Sequence, residues 1–145
     1  KYYEPRNWAN KNKMLHNCEG GIGIKTGYTK EAGRCLVSAA KRGNMTVIST
    51  VLNCPSMYER SIQLIKDAFK TYDYVPLLTA GTVLSVQGNK GKVIDSYFYP
   101  ISEGEKTQLE IRTTSFNYPK MEKIVGQFGI YLSKRLLFSG NLYKL

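Results

Sequence analysis

The sequence predicts an α+β chain in two parts, antiparallel strands closed by one amphipathic helix and then a small all-β, sandwich-like domain. Three observations predict this. Apolar runs of strand length recur over residues 21 to 52 with turn-forming residues between them. A helical face is then spelled by Tyr58, Ile62, Ile65, Phe69 and Tyr72, at alternating steps of four and three. Beyond residue 80, short strand-like runs alternate with glycine- and asparagine-bearing turns to the end of the chain.

Residues 1 to 20 are polar and rich in Asn and Lys, with Trp8, Met14 and Leu15 as anchors, and read as a loop leading into Gly20, Gly21 and Gly23. Strands are expected over 21 to 28, 34 to 40 and 45 to 52, the last two joined by Arg42-Gly43-Asn44. Cys35, Leu36, Val37, Ala39 and Ala40, then Val47, Ile48, Val51 and Leu52, make both later strands apolar almost throughout, a pattern of cover on both faces. The helix opens at Pro55-Ser56, where Ser56 and Glu59 have capping-box spacing, and residues 73 to 76 end it. Further strands are expected over 82 to 86, 92 to 99, 107 to 113, 123 to 132 and 135 to 138, with turns at Gly88 to Gly91 and near Glu103-Gly104. Leu109 and Ile111 alternate with Gln108, Glu110 and Arg112, as in a half-buried strand. The boundary falls near residues 74 to 80, giving segments 1–75 and 76–145.

A length of 145 residues with 42% hydrophobic content supports a real core. The net charge of +10 is spread, with 12 basic and 6 acidic side chains in residues 1–73 against 9 and 5 in the rest. Such a field suits anionic surroundings without choosing a partner. Eleven tyrosines could suggest base stacking, but aromatic and basic residues are not interleaved in any nucleic-acid motif, so nucleic acid is not expected as a partner. Lys1 is not an initiator Met, and neither a signal peptide nor an apolar run of membrane-crossing length is found, so the chain reads as a piece of a longer one.

One motif carries chemistry. Lys25-Thr26-Gly27 lies on an expected strand after a glycine-rich approach. Lys25 offers a positive charge to an anionic substrate end, and Thr26 a hydroxyl for the same carboxylate. Gly27 removes the side chain that would hold a substrate away from the strand, and the backbone N–H of Tyr28 would follow as an oxyanion donor.

The stretch from Gly20 to Gly43, with Lys25-Thr26-Gly27 at its centre, resembles the region of penicillin-binding D-alanyl-D-alanine carboxypeptidases that holds their third active-site motif. Residues 10 to 15 upstream, and 45 to 60 downstream with Asn53, Pro55 and Met57, are similar to its flanks, most closely in the sporulation-associated and related Gram-positive members. Ile124 to Leu132, with Leu136, Leu137, Leu142 and Tyr143, is similar to the end of the β-rich domain that follows the catalytic one. The resemblance implies the last antiparallel strands and C-terminal helix of a β-lactamase/transpeptidase-like domain over residues 1–75, and the β-rich C-terminal domain over 76–145. It implies a parent enzyme that trims the terminal D-Ala from peptidoglycan stem peptides through a serine acyl-enzyme and binds β-lactams, outside the cytoplasm or at the outer face of the bacterial cytoplasmic membrane. Lys25, Thr26 and Gly27 would bind substrate, Tyr28 would donate its N–H, and Lys11 sits where relatives tend to place another basic residue near the cleft. The nucleophilic serine and its lysine are expected in a missing N-terminal part of the same protein, and any membrane anchor outside this chain. A chain without them would be inactive alone. A class A β-lactamase is disfavoured because it has no counterpart of the β-rich extension. The rival reading is a non-catalytic binding or spacer module of the cell envelope.

Two other matches to the family's motifs are set aside. Ser38-Ala-Ala-Lys41 has the letters of the first motif, but positions three apart on a strand point to opposite faces, whereas a nucleophile and its base must meet. Ser139-Gly-Asn141 has the letters of the second and reads as a turn; both follow Lys25-Thr26-Gly27, whereas the family's order is the reverse. Cys18, Cys35, Cys54 and His16 lack the paired spacing of a zinc site and read as buried thiols and an ordinary histidine, so neither metal nor cofactor is expected.

Overall fold

The computed structural model describes residues 9–115 and 123–145. The chain divides into two units, Lys1–Lys70 and Thr71–Leu145.

In the first unit the polar opening segment forms one helical turn, α1 (Met14–Asn17). Its physical cause is local: the Asn12 carboxamide oxygen accepts the Met14 N–H at 3.0 Å, satisfying a donor that has no partner within so short a helix. Gly20 turns the chain with φ +73°, where a Cβ would strike the Lys41 carbonyl. Three strands follow, β1 (Gly21–Thr29), β2 (Gly33–Arg42) and β3 (Met45–Val51), as an antiparallel sheet in the order β1-β2-β3. Helix α2 (Met57–Thr71) then runs for 15 residues.

The core joins Met14, Cys18, Leu36, Ala40, Val51 and Ile65, with Tyr58, Ile62 and Phe69 packed beside them. Both helices therefore lie on the sheet face that carries Leu36, Ser38 and Ala40. Cover on the second face is incomplete among the described residues. Cys35 and Val37 are half-buried, while Ile48 and Leu52 remain 64% and 71% exposed. An apolar strand reports surface that favours burial, and says nothing of what supplies the cover.

The second unit opens where a helix end was expected. Residues Tyr72–Leu78 form β4, which pairs with β7 (Tyr97–Ser102) as a two-stranded ribbon. Strands β5 (Val83–Val86) and β6 (Asn89–Lys92) form a hairpin, and β8 (Leu109–Ser115), β9 (Ile124–Leu132) and β10 (Arg135–Lys144) complete a five-stranded sheet in the order β5-β6-β10-β9-β8. The two ends of that sheet meet, since the Thr113 hydroxyl donates to the Ser85 carbonyl at 2.9 Å. Leu78, Val86, Val93, Phe128, Ile130 and Leu142 fill the core. Tyr97 packs edge-on to Phe128 at 5.4 Å and ties the ribbon to the sheet.

Several expectations are corrected here. The single strand over 92 to 99 is two strands, with Val93 to Ser96 between them, and the turn is Gln87-Gly88, both at positive φ. Two residues at positive φ match the right-handed strand twist of a tight hairpin. The turn at Glu103-Gly104 is instead a helical turn, α3 (Glu103–Lys106), capped reciprocally by Ser102 and Glu105. The last strand runs on past Phe138 to Lys144, so Ser139 and Asn141 are strand residues, opposite Gly129 and Gln127 of β9. Ile111 is exposed rather than turned inward. Of the three cysteines only Cys18 is buried; Cys35 and Cys54 are half-buried.

Candidate functional site

Strand β1 is one edge of its sheet, and Lys25, Thr26 and Gly27 sit at its middle, opposite Val37, Leu36 and Cys35 of β2. The bulge at Gly21 to Gly23 lies upstream, so the motif runs in regular register. Such placement follows from sequence, since the glycines absorb the irregular entry and leave the β-forming Lys-Thr pair to an ordinary ladder.

An open groove of about 280 Å³ runs across the sheet from β1, lined by Lys25, Thr26 and Gly27 of β1, Cys35, Leu36 and Val37 of β2, and Leu52 beyond β3. Lys25 is exposed, and its ammonium donates to the Thr26 carbonyl at 2.5 Å. Thr26 is half-buried. Gly27 is exposed, and a Cβ built on it would meet only Cys35 Cβ, at 3.9 Å. Its lack of a side chain is thus not forced by crowding or by positive φ. It leaves bare backbone along the groove, where any side chain would stand in the space a ligand would use. The groove therefore sets one exposed cation and a stretch of uncovered backbone, with Thr26 between them, beside an apolar floor, a set able to hold a carboxylate-ended chain.

Tyr28 follows on the same strand, opposite Arg34, and is 68% exposed. Lys11 is exposed in the segment before α1 and does not line the groove. Ser38 is fully buried, and its hydroxyl lies 2.9 Å from that of Ser49. Lys41, on the opposite face of β2, is exposed, so the pair that copies a nucleophile motif in letters is not brought together. Cys18 lies in the core, where burial pushes its thiol up against the opposing pull of Arg42 and Lys66. Among the described residues no three His, Cys, Asp or Glu side chains cluster as a metal site, and no helix is long and apolar enough to cross a membrane.

Cys35, Val37 and Leu52 were not anticipated as groove residues. Cys35 and Val37 could have been found from antiparallel register, which sets them across from the motif; Leu52 carries no local signal.

Comparison with known proteins finds similarity over part of the chain. Residues 3–56 match the family model Peptidase_S11, described as D-alanyl-D-alanine carboxypeptidase. The chain is 40% identical over 88 residues to the D-alanyl-D-alanine carboxypeptidase DacF of Bacillus subtilis, covering 58% of this chain and 23% of that protein. It is 46% identical over 67 residues to a D-alanyl-D-alanine carboxypeptidase of Streptomyces sp. strain K15, covering 46% of this chain and 22% of the relative. The matched stretches thus span under a quarter of the length of either relative. Among solved structures, the D-alanyl-D-alanine carboxypeptidase DacD of Francisella tularensis superposes with a TM-score of 0.65 at 26% identity, over 94% of this chain and 38% of that one. The superposition bears out the expected α+β class, antiparallel strands with a helix followed by β-rich structure.

Proposed function

We infer, from the match of residues 3–56 to the family model described as D-alanyl-D-alanine carboxypeptidase, that the parent of this chain removes the terminal D-alanine from peptidoglycan stem peptides through a serine acyl-enzyme. One observation carries the reading: Lys25, Thr26 and Gly27, on the edge strand β1, line an open groove. The Lys25 ammonium and Thr26 hydroxyl hold the substrate's free carboxylate, and the chain lies along the bare backbone at Gly27. That grip explains why a carboxypeptidase would use such a strand, because it must recognise a terminal carboxylate before cutting beside it. The Tyr28 N–H stabilises the oxyanion formed when the serine attacks. Lys11 adds positive charge to the approach.

Residues 1–75 are on this reading the last part of a transpeptidase-like catalytic domain, and 76–145 the β-rich domain after it. The serine and its lysine base come from the N-terminal part of the same protein, which acts outside the cytoplasm and is a β-lactam target. This chain alone is catalytically silent. Fluorescent penicillin tests the reading: the full-length parent is labelled, the 145-residue chain is not, and Lys25→Ala slows labelling of the parent by about a hundredfold, the scale of losing one charge-stabilising group at an acyl-transfer site. A labelled isolated chain, or a parent indifferent to Lys25→Ala, overturns it.

A further inference from the structure

The β4–β7 ribbon has two unlike faces, because alternate strand residues point opposite ways. On one, Tyr97 and Tyr99 meet Phe138 of the five-stranded sheet, with ring centroids 5.4 and 6.2 Å away. The other carries Tyr72, Tyr74 and Pro76 from β4 with Phe98 and Pro100 from β7, all exposed. Register sets Tyr74 opposite Pro100 and Pro76 opposite Phe98. Across the strands Tyr74 and Phe98 stack, centroids 5.7 Å apart and planes within 19°. Tyr72, Tyr74 and Phe98 are each still 37 to 40% exposed, so three aromatic rings are held in place without being covered. Contiguous exposed apolar surface of this kind marks a binding face.

Its chemistry selects the occupant. The face is built from three flat aromatic rings and two prolines, without the rows of Lys and Arg that flank the apolar faces drawn to anionic lipid. Charge agrees. The ribbon and α3 carry Asp73, Glu103 and Glu105 against Lys106 alone, an acidic exception in a chain of net charge +10. Carboxylates there repel anionic lipid and anionic polymers. A flat, uncharged surface edged with hydroxyls fits instead, which is the C–H face of a sugar ring, whose hydroxyls the tyrosine hydroxyls can bond at the rim.

We propose that the outer face of the β4–β7 ribbon binds a glycan chain, sugar rings lying flat on Tyr74 and Phe98 with Tyr72 extending the platform. The proposal uses the cell-wall reading only to choose which glycan to offer. The probe is accordingly peptidoglycan glycan stripped of its stem peptides by amidase, which presents nothing to the Lys25 groove. The 145-residue chain is captured by this glycan immobilised on beads and is released by soluble N-acetylglucosamine oligomers, and it does not sediment with phosphatidylglycerol vesicles. Tyr74→Ala with Phe98→Ala weakens binding by about tenfold or more. Phe98→Leu, which keeps apolar bulk and spares the fold, also weakens it because the flat ring is gone. Lys66→Ala, an exposed charge on α2 that belongs to neither the groove nor the ribbon, binds as the parent sequence does.

No capture by the glycan beads, binding to vesicles instead, a Phe98→Leu variant that binds undiminished, or a loss caused by Lys66→Ala would each overturn the proposal. Failure of penicillin labelling in the parent leaves these readouts untouched, so the two readings fail separately.

Discussion

Ser38 and Ser49 share a hydrogen bond of 2.9 Å between their hydroxyls across β2 and β3, both buried on the sheet face that packs against α2. Each satisfies the other where no water reaches, so the pair is structural. Ser38→Ala leaves Ser49 unpartnered and should destabilise the first unit by about 1–2 kcal/mol, whereas the double change to alanine should cost less than twice that. Urea unfolding of the chain, followed by a probe in residues 9–70, measures it. An unchanged midpoint in Ser38→Ala would show that the hydroxyl pair contributes nothing.

The hairpin between β9 and β10 turns through Ser133 and Lys134, at φ +48° and +73°. Lys134 bears a side chain in a region that favours glycine. Lys134→Gly should therefore stabilise the second unit by about 0.5 kcal/mol, the relief of the left-handed backbone partly offset by the extra freedom glycine has when unfolded. Thermal unfolding would show a small rise in midpoint, and a fall would mean the turn is unstrained.

Thiol chemistry should separate the three cysteines. Cys18 is 5% exposed and burial raises its pKa, so thiolate is scarce and shielded; Cys35 and Cys54 are half-buried. A short pulse of iodoacetamide near pH 8 should label Cys35 and Cys54 well ahead of Cys18, as read by peptide mass spectrometry. If Cys18 reacts first, the described core is wrong around α1.

Glu105 accepts the Ser102 N–H at 2.9 Å and the Ser102 hydroxyl at 2.7 Å, and these bonds, the backbone one foremost, lower its pKa below the ordinary 4.5. Because the folded value is depressed, the cap contributes stability above the ordinary carboxylate range and loses it as pH falls through the lower folded value. The Ser102 amide resonance should follow that titration, with a midpoint below 4.5, and the Glu105→Gln variant should show no such step. A midpoint at or above the ordinary value would mean the cap does not form in solution.

How far the sequence spoke depended on whether a signal was local. The first three strands and α2 were legible because apolar runs and the Tyr58-to-Phe69 stripe are local patterns. Helix α1 was not, resting on one Asn12 side chain. Strand β4 was missed because Tyr72 extends the phase of α2 and Pro76 reads as a breaker; proline is admitted there because a two-stranded ribbon has free edges on both strands. Ser139-Gly-Asn141 spells a turn, yet pairing with β9 outweighs that propensity. At the groove, Lys25-Thr26-Gly27 was legible as letters, whereas Cys35, Val37 and Leu52 join it through register and tertiary placement.

The bond from Thr113 to the Ser85 carbonyl reaches beyond cohesion. The outer rims of a β-sheet are where a stray strand can add and seed fibrils. By turning β8 onto β5 and occupying a backbone acceptor with a hydroxyl, the molecule removes docking room at both rims together. Thr113→Val, nearly the same shape without the donor, would loosen that guard, and growth of amyloid during mild heating is where the weakness would surface.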